Sequence, residues 1–153
     1  MNRSLLAAVL AAGLMSSAAW AAASARDSEG SEAQDPHFLQ AADKAANEGD
    51  ADGAVQLYQS AIIYAPGDPV PYERLAEFYV HSNLPELAQR YFGLALDAAP
   101  AYAPALRGLA LLDIAAGNRA GAQAQHDILL HSCGVNCPET AQVEKALNNR
   151  AAP

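Results

Sequence analysis

The stretch PVPYERLAEFYVHSNLPELAQRYFGLALDAAP, residues 69–100, decides how the chain folds. Tyr72, Leu75, Ala76 and Tyr79 recur at the three- and four-residue steps of a single helix face. Pro69 and Pro71 suit a first turn, where a missing N–H costs nothing. Ser82-Asn83-Leu84-Pro85 breaks the period, and Ala88, Phe92 and Ala95 resume it until Pro100. The spacing predicts helices over 70–81 and 86–98, joined by a tight turn.

Moving outward, the same features return every 34 residues. Pro66 and Pro100 are one period apart, as are Leu75 and Leu109. Three-membered sets are Ala54, Ala88 and Ala122; Tyr58, Phe92 and His126; Ala61, Ala95 and Leu129; and Gly49, Asn83 and Gly117. A first unit is read as helices 36–48 and 52–64, and a third as 104–116 and 119–132. A period of this length marks stacked helix pairs, in which each pair buries its apolar face against its neighbours.

The run Gly49-Asp50-x-x-x-Ala54-x-x-x-Tyr58-x-x-Ala61-x-x-x-x-Pro66 resembles the second half of a tetratricopeptide repeat (TPR). Tyr72-x-x-Leu75-Ala76-x-x-Tyr79, with Ala88, Phe92, Ala95 and Pro100, resembles a whole one. The resemblance covers residues 35 to about 134 and implies an all-α solenoid of three helix-turn-helix repeats, 35–68, 69–102 and 103–134. Small residues at 54, 88 and 122 let paired helices cross closely, and the aromatic residues pack against the next unit. The third unit departs from the pattern, with His126 for the aromatic, Leu129 for the small residue and Gly134 where proline is usual. Within 135–153, a last helix from Pro138 to Asn149 places Val143 and Leu147 on one face and caps the stack.

The chain begins with one basic residue, Arg3, an apolar run from Leu5 to Met15 and a small-residue exit. That is the pattern of a secretory signal peptide over 1–25, cut after Ala21 or Ala25. Residues 26–34 are polar and acidic and read as a flexible leader. The expectation is a small exported bacterial protein, periplasmic or secreted, with no stable membrane anchor after cleavage.

Nine Lys and Arg against seventeen Asp and Glu give a net charge of -8 with no basic cluster, which argues against nucleic acid as a partner. There is no nucleophile motif, phosphate loop or carboxylate pair in an evident cleft. Neither enzyme activity, a cofactor nor a small-molecule substrate is expected.

Cys133 and Cys137 are the only cysteines. In an oxidising compartment they suit a structural disulfide, whose small ring contributes about 2 kcal/mol by loop entropy. A metal site recruiting His131 and His126, and a thiol redox site, are the alternatives; Pro138 directly after Cys137 excludes haem attachment.

The resemblance implies that a protein or peptide partner binds a concave groove lined by the first helix of each pair. Carried onto this sequence, those positions are Asp43 and Asn47, then Glu73, Glu77 and His81, then Arg107, Leu111 and Ile114. Glu73 and Glu77 stand where one subtype grips a terminal carboxylate, which favours a partner of basic or amide character. The role this suggests is a scaffold or adaptor in envelope assembly or maturation. Its rivals are a structural subunit of a larger envelope complex and a metal or thiol-redox accessory protein using the Cys133/Cys137 segment.

Overall fold

In a computed structural model, residues 35–149 are described. The expected signal peptide, 1–25, and the expected leader, 26–34, lie outside them. The described residues form α1 (Asp35–Glu48), α2 (Ala51–Tyr64), α3 (Pro69–His81), α4 (Pro85–Ala98), α5 (Ala103–Ala116), α6 (Arg119–Ser132) and α7 (Pro138–Asn149). These are the seven expected helices, with boundaries within a residue of those read from the sequence. No helix among the described residues is long and apolar enough to cross a membrane.

The turns inside the pairs are built alike because each contains a residue in the left-handed region. Gly49 has φ 82°, Asn83 56° and Gly117 80°, one period apart. Glycine adopts that conformation without a Cβ clash, and asparagine is the side chain that tolerates it best. The following N–H then bonds back five residues: Asp50 to the carbonyl of Ala45, Leu84 to Tyr79 and Asn118 to Asp113. This closure satisfies carbonyls that the helix end would otherwise leave open.

Helix starts follow local chemistry. The Asp50 carboxylate accepts from the Gly53 N–H at 3.0 Å, and the Asn118 amide oxygen accepts from Gly121 at 3.1 Å. Asp68 accepts from Val70 at 2.9 Å. α4 and α5 begin without a side-chain cap and carry proline in the first turn instead.

α3 packs on α4 and α5 on α6; α2 meets α3, α4 meets α5, and α7 lies against both α5 and α6. Ala54, Ala88 and Ala122 are fully buried, as the close helix crossings require. Tyr58 and Phe92 are buried in the core of the first two units. α4 and α5 approach closely at Gly108 on α5, where the Phe92 ring occupies the place a Cβ would take. A second cluster, Leu106, Ala110, Ala122, Leu129, Val143 and Leu147, joins α5 and α6 to α7. Arg119 donates to the Leu147 carbonyl at 3.0 Å, tying α6 to the end of that last helix.

Candidate partner-binding groove

α1, α3 and α5 are the first helices of successive pairs, and their facing side chains meet in one ionic network. Tyr58, reaching from α2, donates its hydroxyl to Asp43 at 2.6 Å. Arg74 bridges Asp43 at 3.7 Å and Glu73 at 3.8 Å. Arg107 on α5 pairs with Glu77 on α3. The network therefore ties three helix pairs together through five charged side chains, three acidic and two basic.

Glu73 is the deepest of these, only 8% exposed. Burial pushes its carboxyl above the ordinary range, and the Glu77 carboxylate adds to that, while Arg74 and Arg107 pull the other way. Tyr58 is raised by burial and by its hydrogen bond to Asp43, so it remains a neutral donor. Tyr102, just before α5, is raised by burial and by Glu73 and Asp68.

The expected groove residues divide into three groups. Asp43, Glu73, Glu77 and Arg107 come together in the network. Asn47, one turn beyond Asp43, and His81, in the last turn of α3, are exposed. Leu111 is exposed, whereas Ile114 packs against the second core cluster. Arg74 and Tyr58 are members that sequence reasoning missed, and Tyr102 lies within the electrostatic reach of Glu73.

At the far end of the stack, Cys133 and Cys137 are joined in a disulfide with Cα atoms 5.6 Å apart, a separation that suits the bond. The sulfurs are bonded to one another, and the carboxylate that reaches them is that of Glu139. Neither histidine belongs to this group. His131 Nδ1 lies 2.7 Å from the Asp127 carbonyl of its own helix. His126 fills the buried position of the missing aromatic, and its Nε2 finds no hydrogen-bond partner among the described residues.

No protein-family model and no curated protein matches the sequence. Solved structures do match. The first TPR of Spaghetti (RPAP3), bound to the HSP90 peptide SRMEEVD, is 18% identical over 78% of this chain and 97% of that one, with a TM-score of 0.65. The Sgt2 TPR domain from Aspergillus fumigatus is 19% identical over 78% and 80%, with a TM-score of 0.67. The Arabidopsis OM64 TPR domain is 16% identical over 76% and 95%, at 0.64. At such identities the likeness establishes the fold: an antiparallel all-α arrangement of the TPR type, three helix pairs and a capping helix.

Proposed function

We propose that this protein is an exported, non-enzymatic scaffold whose groove, lined by α1, α3 and α5, holds an extended segment of a partner protein during envelope assembly or maturation. The observation that carries the reading is the ionic network. It links the first helices of three pairs, and Asn47, His81 and Leu111 lie exposed on those helices outside it. A preorganised groove loses little freedom when a peptide docks, which is where such surfaces gain affinity. The peptide held by the Spaghetti TPR is a precedent for a ligand of this kind.

Two arginines offset two of the three carboxylates, leaving one net negative charge. The partner surface that fits is consequently polar and amide-rich, without a strong need for positive charge. Pull-down from the envelope fraction tests the reading, with Asn47, His81 and Leu111 changed together to alanine. Loss of one specific partner while the helical circular-dichroism signal is unchanged supports groove binding.

A second reading, a structural subunit joined through the end of its solenoid, draws on Ile63. It is 80% exposed beside Phe38 and Tyr64 on the first pair. Recovery abolished by Ile63→Ser and untouched by the groove variant selects that reading instead. Export is tested by the intact mass of purified protein and by tryptophan emission. Trp20 is the only tryptophan, so the cleaved chain has none.

A further inference from the structure

The ring closed by Cys133 and Cys137 has contacts that a mere clasp does not require. The Glu139 carboxylate lies 3.0 Å from the Cys137 sulfur. In the disulfide that sulfur has no proton to give, so the contact is idle; it becomes an S–H···O hydrogen bond once Cys137 is a thiol. The Thr140 hydroxyl, on a residue only 1% exposed, lies 3.6 Å from the Cys133 sulfur. It is placed to donate to a Cys133 thiolate. Cys137 also precedes α7 directly, and its carbonyl accepts the Ala141 N–H at 3.1 Å. The positive end of α7 favours a thiolate there, while the Glu139 carboxylate repels one and favours the protonated thiol that follows.

The two cysteines also differ in access. Cys133 is exposed and Cys137 is buried at 9% exposure. Between them Gly134 turns in the left-handed region at φ 85°, and Val135 projects at 73% exposure. A disulfide whose reduced form is stabilised is a stronger oxidant, and an attacking thiol selects the accessible sulfur.

We propose that Cys133–Cys137 is a thiol–disulfide exchange site that oxidises a pair of cysteine thiols in a partner polypeptide. The partner's first thiolate attacks Cys133 Sγ, forming a mixed disulfide and breaking the Cys133–Cys137 bond. Cys137 departs as a thiolate, takes up the proton lost by the attacking thiol and holds it in the hydrogen bond to Glu139. The partner's second thiolate then attacks the partner's own sulfur in the mixed disulfide. That closes the partner's disulfide and releases Cys133, whose thiolate accepts from Thr140 until it too is protonated. Two electrons and two protons pass from the partner dithiol to this chain.

The test uses the purified oxidised chain and a reduced peptide carrying two cysteines, at neutral pH, with acid quenching and mass analysis. Oxidation of the peptide is expected to run at least about tenfold faster per disulfide than with oxidised glutathione at the same concentration. A rate equal to or below that of oxidised glutathione overturns the proposal. In glutathione buffers, Glu139→Ala combined with Thr140→Val is expected to shift the equilibrium about tenfold toward the disulfide. An unchanged equilibrium constant, measured on a variant whose helical signal is intact, equally overturns it.

Discussion

Gly108 and Gly93 are both helical, yet the structure predicts opposite outcomes when each becomes alanine. Gly93 lies in α4, and a Cβ built there meets nothing within 4 Å. Its replacement gains the helix propensity of alanine over glycine, about 1 kcal/mol. At Gly108 the same gain applies, but the new methyl runs into the ring of Phe92. Phe92 is 1% exposed and has no room to swing aside, so overpacking costs about 1–3 kcal/mol. The two variants should therefore differ by about 1–3 kcal/mol, with Gly93→Ala above the parent chain and Gly108→Ala at or below it. Urea denaturation followed by circular dichroism measures both on one scale. Adding Phe92→Leu to Gly108→Ala should recover part of the loss by returning space at the contact. If Gly108→Ala gains as much stability as Gly93→Ala, the packing of α4 on α5 described above is wrong.

Other consequences follow from the turns, the network and the disulfide. Asn83→Gly removes the Cβ from a left-handed residue at φ 56° and should raise stability by up to about 1 kcal/mol, read from the same urea curves. Glu73, raised above the ordinary value of 4.5, binds its proton more tightly in the folded chain than in the unfolded one. Its contribution to stability is thus greatest at low pH and is lost as pH rises through the folded value. The melting temperature of Glu73→Gln relative to the parent chain should climb as pH rises above about 4.5, and a flat difference contradicts the burial described. Reducing the Cys133–Cys137 bond removes about 2 kcal/mol of loop entropy, and the thiol contacts to Thr140 and Glu139 offset part of it, so the melting temperature in dithiothreitol should fall by less than the ring alone requires, with helical content kept.

Most of the fold is legible in the sequence because its breaks are chemical. Prolines fix helix starts, and one left-handed residue per pair, at 49, 83 and 117, fixes the turns. The ionic network on the first helices was legible only by position. Asp43 and Glu77 share the 34-residue register, as do Glu73 and Arg107. Their partners come from a neighbouring register: Arg107 meets Glu77 across 30 residues and Arg74 meets Asp43 across 31. Those separations are one period less about one helical turn, which is where stacked first helices set side chains next to each other. Opposite charges at that spacing are a usable signal, and searching one helix face at a time overlooks it. Tyr58 and Tyr102 could not be found this way, because they enter from outside the first helices and their roles depend on how the pairs are packed. His126 was legible as a departure from the aromatic register, but only packing shows its unpaired Nε2.

The central claim is that a partner sits on the face shared by α1, α3 and α5. A photocrosslinking residue placed at exposed Asn47, compared with one at exposed Gln59 on α2, tests it directly in intact cells. Groove binding predicts one partner adduct at position 47 and none at 59. An adduct at 59 alone, or at neither position, contradicts it.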